Sequence, residues 1–154
     1  MPLSSLYVTV STGIGTGITT NGTIDSNFRL SEGGHMVVEY EGNLQMWETF
    51  ASGKAIHEKF GLYAHDIEDP KIWDDIAERI SRGLLIAIPF LQMDMIILGG
   101  SIGTYFKKYD KKLIQILKAN LEDGTILPKI VQAKHPEQAV IYGCYYYAVD
   151  ALND

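Results

Sequence analysis

Alternation dominates the first third of this chain and helical spacing the rest. Residues 6–11 alternate and are rich in β-branched side chains, which predicts a strand, and 16–20 read as its returning partner. Asn21-Gly22 is a two-residue turn signal, and 23–25 start a third short strand. Residues 27–34 read as loop and 35–40 (H-M-V-V-E-Y) as extended again. The period then changes. Leu44, Met46, Trp47 and Phe50 have a broadly helical spacing, which predicts a helix over 44–50. Ser52 can N-cap a second helix over 54–60, and Gly61 can close it in the left-handed conformation. Asp69-Pro70 opens a longer helix. Its stripe is Trp73, Ile76, Ala77, Ile80, Leu84, Ala87 and Ile88, and its end, apolar all round, is expected to be buried.

Residues 95–98 (M-I-I-L) form a short continuous apolar run that follows a helix and ends in Gly99-Gly100. That is the pattern of a parallel strand covered on both faces. Residues 101–109 read as loop or short helix. Asp110 caps a helix over 111–121 with Leu113, Ile114, Leu117 and Leu121 inward, and 126–132 predict a last strand. His135-Pro136 starts a final helix over 137–152 whose body is apolar on most faces. The order is an antiparallel β-meander followed by α-β-α-β-α, an α/β lobe with a mixed sheet.

Composition narrows the class without naming a function. With 154 residues, 46% apolar and 21% charged, the chain fits one globular domain, 1–154. A net charge of −6 argues against a nucleic-acid partner. The one cysteine, Cys144, excludes an internal disulfide framework and suits a reducing cytoplasm. It reads as an inert core thiol. The longest greasy stretch, 84–98, is interrupted by Pro89, Gln92 and Asp94; it is too short to span a membrane and reads as buried core. No secretory leader is visible at the start.

The candidate chemistry starts at V-S-T-G-I-G-T-G-I-T, residues 10–19. Alternate glycines could adopt φ > 0 and expose consecutive amides, a nest for phosphate. Small hydroxyls at Thr12 and Thr16 would add donors. A plain hairpin uses glycine in the same way, and the residues alone leave both readings open. Glu48 sits beside Trp47 and Phe50, where a carboxylate needs a partner or a polar ligand, unless it simply faces solvent. His57, His65 and His135 read as surface or capping residues. The acidic run Asp66, Glu68, Asp69 suits the start of a helix. Tyr145, Tyr146 and Tyr147 read as packing residues.

The order of elements resembles the ribonuclease-H-like lobe of the actin/Hsp70/hexokinase-like ATPase superfamily. More closely, the chain resembles the C-terminal lobe of ROK-family proteins (repressors, open reading frames and sugar kinases). V-S-T-G-I-G-T-G-I at 10–18 looks like the family's second phosphate loop. E-G-G-H at 32–35 fits its E-x-G-H motif, and W-E-T-F-A-S-G at 47–53 is similar to its L-E-x-x-A-S-G segment. I-I-L-G-G-S at 96–101 looks like its adenosine loop, and 134–148 parallel its end helix, which in the family packs against the first lobe, so that here its surface is expected to be exposed or covered by a second copy.

The resemblance implies phosphoryl transfer from ATP, with Mg²⁺, to a sugar hydroxyl, as in glucokinases and fructokinases. Thr12, Gly13, Gly15, Thr16 and Gly17 would cradle phosphate. Gly99, Gly100 and Ser101 would pass the adenosine. Glu32, His35 and Glu48 would hold sugar hydroxyls, since a carboxylate accepts from two hydroxyls and an imidazole donates or accepts. The cysteine cluster that binds a structural zinc in many ROK proteins has no counterpart between Tyr40 and Met46, so no zinc is expected. Full ROK chains are about twice this length, with roughly one further domain. Their first lobe carries the D-x-G-x-T phosphate loop and the catalytic Asp. The expectation is therefore half a site, inactive alone, completed by an N-terminal lobe supplied in trans or missing here, with a homodimer as a further expectation. The alternative is the sugar-sensing portion of a ROK-type transcriptional regulator.

Overall fold

A computed structural model describes residues 3–153. Strands β1 (Ser4–Val10), β2 (Ile14–Thr20) and β3 (Thr23–Ile24) form the expected antiparallel meander. β6 (Met95–Gly99) lies parallel to β1 on its other side, and β7 (Lys129–Gln132) is parallel to β6. The sheet order is β3-β2-β1-β6-β7, so β1 is central. The period-2 alternation of β1 turns Leu6, Val8 and Val10 into the core. This is the expected mixed sheet.

The turn at Asn21 and Gly22 takes φ of 55° and 83°, the two positive values that a two-residue hairpin turn requires. A second turn of the same kind was hidden at Glu41 (φ 52°) and Gly42 (φ 79°). It folds β4 (Val37–Tyr40) onto β5 (Asn43–Met46) as a separate two-stranded sheet. The helix expected over 44–50 is therefore corrected: 44–46 are strand, Leu44 is 77% exposed, and only Trp47–Ala51 is helical, as α1. Trp47, Phe50 and Ala51 are the buried members of α1.

α2 (Gly53–Phe60) has the expected caps. The Ala55 amide donates to Ser52 Oγ at 3.2 Å, and Gly61 closes the helix at φ 69°. α3 (Pro70–Leu91) starts on Asp69, whose Oδ1 accepts from the Lys71 amide at 2.8 Å. Its predicted stripe is buried throughout. It runs on past Pro89 and stops at Gln92 in the left-handed conformation. Ile86 and Phe90 are exposed, so this end is not buried all round and 84–98 is only partly core. A short α4 (Gly100–Gly103) follows β6, and α5 (Asp110–Asn120) packs against α3 through Leu113, Ile116 and Leu117. Asp110 is the first residue of α5 and accepts from the Lys111 amide at 2.7 Å.

α6 (Ala139–Asn153) reverses one expectation: Cys144 is exposed, not a core thiol. Tyr145, Tyr146 and Tyr147 are exposed along with Val140 and Ile141, one of the two outcomes expected for this surface. Among the described residues no helix is long and apolar enough to cross a membrane.

Candidate functional site

The β1–β2 hairpin is built differently from a nest of left-handed glycines. Gly13, Gly15 and Gly17 all keep φ outside the positive region. Gly15 and Gly17 are strand residues opposite Thr9 and Tyr7, and the turn itself is Ser11, Thr12 and Gly13. The glycine run is thus mostly strand, a hairpin whose tip carries the undonated amides. The amides of Thr12 and Gly13 donate to no group among the described residues, while that of Ile14 donates to Glu48 Oε2 at 3.2 Å.

Ser11 ties this tip to its surroundings. Its carbonyl accepts from the Gly53 amide at 2.6 Å, at the start of α2, and its hydroxyl accepts from the Ser101 amide at 3.0 Å. One residue therefore fixes the hairpin turn against both the A-S-G segment and the G-G-S turn. Gly100 must be glycine here: its φ is 82°, and an added Cβ would lie 2.5 Å from the Val10 carbonyl oxygen. Gly99 is constrained by packing, because a Cβ there would sit 2.3 Å from the Tyr7 hydroxyl. That hydroxyl is buried without a hydrogen-bond partner, and burial pushes its pKa up. Both glycines are thus explained by the fold before any nucleotide is considered.

Glu48 is the hinge of the other half. Its Oε2 accepts from Ile14, and its Oε1 lies 3.4 Å from His35 Nε2. Helix α1 brings Glu48 up to the hairpin, where a Cβ on Gly13 would approach Oε2 at 2.8 Å. His35 ends a single 3₁₀ turn, Gly33–His35, that is locked onto β2. The Gly33 amide donates to Thr16 Oγ1 at 2.9 Å, and Gly34 lies so close to β2 that a Cβ would meet the Ile14 carbonyl oxygen at 2.1 Å. Thr16 therefore uses its hydroxyl to hold the E-G-G-H turn. Glu32 is exposed at the entry to that turn, and its carbonyl accepts from the His35 amide at 3.0 Å. His35 and Glu48 are brought together; Glu32 stays at the rim.

Between the Ser11–Thr12 tip, α2 and the G-G-S turn lies a cleft of about 370 Å³. Its far wall is aromatic. His57 of α2 stacks on Tyr63 with ring centroids 4.1 Å apart, and Tyr63 lies parallel to His65 at 5.9 Å. His57 Nδ1 is buried there with no partner. His65 is exposed and His57 lies in the last turn of α2, as expected, and the two also line the cleft together with Lys54, Tyr105 and Glu137. Sequence spacing gave no hint, since α2 and the loop after it meet only in three dimensions. Ser11 was equally hidden, although it lies inside the glycine motif. Among the described residues no group of three His, Cys, Asp or Glu side chains could hold a metal ion.

A family model described as the ROK family matches residues 3–151. A protein of Bacillus subtilis (strain 168), named provisionally as a fructokinase, is 32% identical over 110 residues, covering 64% of this chain and 37% of that protein. A ROK family glucokinase from Streptomyces griseus, solved with glucose and AMPPNP, superposes with a TM-score of 0.76 at 17% identity over 92% of this chain and 59% of its own. A ROK family transcriptional regulator, a homologue of the E. coli MLC protein, superposes with a TM-score of 0.70 at 17% identity over 84% of this chain and 41% of its own. The chain thus spans less than two thirds of the length of each of these relatives.

Proposed function

We propose, for a chain that belongs to the ROK family, the nucleotide-gripping and sugar-gripping half of an ATP-dependent sugar kinase. The observation that carries this reading is the double contact of Glu48. One carboxylate reaches the phosphate hairpin through Ile14 and the E-G-G-H turn through His35. A kinase needs that adjacency, because phosphoryl transfer is mainly the positioning of a hydroxyl against a phosphate.

The undonated amides of Thr12 and Gly13 suit phosphate oxygens, with Gly15, Thr16 and Gly17 shaping the strand behind them. Adenosine would pass Gly99, Gly100 and Ser101 into the cleft beside His57 and Tyr63. The cleft's volume and its orphaned buried His57 Nδ1 fit a base with hydrogen-bonding edges. Mg²⁺ would arrive with the nucleotide and take most of its ligands from phosphates and water. Glu32, His35 and Glu48 would orient the sugar. No Asp of this chain reads as the base that takes the hydroxyl proton. The chain alone is therefore inactive in this proposal and needs an N-terminal lobe, in the cytoplasm where ATP is present, with a second copy as a further partner.

The regulator relative supports a second reading, a sugar-sensing portion without kinase chemistry. Calorimetry with ATP–Mg²⁺ and with a panel of glucose, fructose and mannose separates the two. Nucleotide and sugar binding are expected for the kinase half, sugar alone for the sensor. An ATP-coupled assay is expected to read no turnover by the chain alone, and robust turnover would sink the half-site proposal. Tyr63→Ala is expected to weaken ATP–Mg²⁺ about tenfold with little change in stability, because Tyr63 is 59% exposed.

A further inference from the structure

α1 carries Glu48 yet has almost nothing of its own to hold it in position. It is five residues long and has no side-chain N-cap. A helix that short is not stable by itself. The location of the Glu48 carboxylate is therefore decided by whatever grips α1 from outside.

That grip comes from α3. Arg79 is 4% exposed, and its Nη1 donates to the Phe50 carbonyl at 2.6 Å, a last-turn carbonyl of α1 that no helical amide can reach. A cation at this end also suits the helix dipole. The Arg79 Nε donates to Asp75, and its Cζ lies 5.1 Å from the Tyr40 ring centre. Tyr40 in turn stacks on Phe50 at 4.2 Å and 5°. The Arg79 carbonyl accepts from Trp47 Nε1 at 3.1 Å, so the same residue holds both ends of α1. Burying a guanidinium is costly unless its donors are used. Here one fork is divided between Asp75 and Phe50.

We infer that Arg79 is a positioning residue for Glu48: its guanidinium pins the C-terminal end of α1 and so holds the carboxylate on the Ile14 amide. It touches neither the hairpin nor His35, and it acts through α1. The consequence for sugar rests on the reading of Glu48 given under Proposed function; the pinning of α1 does not. Lysine cannot replace it, because an ammonium lacks the planar fork that reaches Asp75 and Phe50 together.

The Ile14 amide reports the position of Glu48 directly, in ¹⁵N–¹H spectra of the full chain. Glu48→Gln calibrates the loss of the carboxylate acceptor. Arg79→Lys is expected to move the Ile14 resonance toward its Glu48→Gln position. It should weaken glucose binding about tenfold and leave ATP–Mg²⁺ affinity within threefold. Leu113→Ala serves as the merely structural control, since it creates a core cavity in α5 away from α1. It should lower the melting temperature and leave Ile14 in place. An Ile14 amide unmoved by Arg79→Lys, or moved equally by Leu113→Ala, overturns the inference. Should Arg79→Lys not fold, Asp75→Asn removes the charge that holds the Arg79 Nε without touching α1 and is read by the same shift. If the parent chain binds no glucose, the sugar reading fails, and the Ile14 comparison alone decides the role of Arg79.

Discussion

Helices α3 and α6 are both rich in apolar residues and meet opposite fates. In α3 those residues recur at steps of three and four, and Trp73, Ile76, Ala77, Ile80 and Leu84 are buried. In α6 they run consecutively through 139–149, and Val140, Ile141, Tyr142 and Tyr145–Tyr147 are exposed. A periodic stripe names one partner face, and this chain supplies it. An unbroken apolar run names no face, and the described residues leave most of it uncovered. Stability should therefore be concentrated where α3 meets α1 and be nearly absent from the α6 tyrosines.

Gly83→Ala is the strongest test of that division. A Cβ at this position would lie 2.2 Å from the ring of Trp47, which is 1% exposed. Alanine gains about 1 kcal/mol of helix propensity. That does not offset an overpacked indole with no room to move, and a net loss of about 3 kcal/mol is expected. For a domain of this size thermal unfolding should read a fall of roughly 10 °C. An unchanged melting temperature would mean that α1 shifts freely on α3, and would also weaken the case for Arg79.

The tyrosines sharpen the comparison through pH. Burial raises the pKa of Tyr109 far above its ordinary value of 10.0, with Asp110 adding to the effect. Burial raises Tyr40 and Tyr7 as well. A group whose folded pKa is raised binds its proton more tightly in the native state. Its stabilising contribution is complete below the unfolded pKa near 10 and is lost as pH rises above it. For the fully buried Tyr109 the expected cost is about 1.4 kcal/mol per pH unit above that point. Tyr109→Phe should flatten part of this alkaline decline. It should cost little near neutrality, because the Tyr109 hydroxyl has no hydrogen-bond partner to lose. Denaturant melts between pH 8 and 11 check this, and a decline left unchanged by Tyr109→Phe breaks the prediction.

The fold was readable wherever a local device fixed it. Asn21-Gly22, Ser52, Gly61 and Asp69 act on their immediate neighbours, and each terminates or starts an element as expected. The Glu41-Gly42 turn was missed because glutamate seldom takes positive φ, so Leu44 and Met46 were read at helical spacing. The site divides in the same way. The glycine motifs and E-G-G-H are contiguous strings and could be found. The placements of Ser11, Arg79, His57 and Tyr63 come from contacts between segments distant in sequence, such as Ser11 with Ser101 and Arg79 with Phe50. Even Thr16, found by its motif, turned out to hold Gly33.

The smallest expected effect lies on α6. Tyr146 is 62% exposed and touches Tyr145 edge-on at 5.4 Å. Tyr146→Gln removes an exposed ring and substitutes a residue with a better helix propensity, so stability should stay within about 0.5 kcal/mol of the parent. That figure holds for the chain by itself. If a second copy or a further lobe covers α6 in solution, the ring is buried in that assembly and its removal costs far more. The two cases differ in their dependence on protein concentration. An isolated helix face gives the same melting temperature at all concentrations, whereas a face covered by a second copy gives one that rises with concentration and falls on Tyr146→Gln. A concentration-independent loss as large as that of Gly83→Ala would show instead that the tyrosines pack within the chain, and the contrast between α3 and α6 would fail.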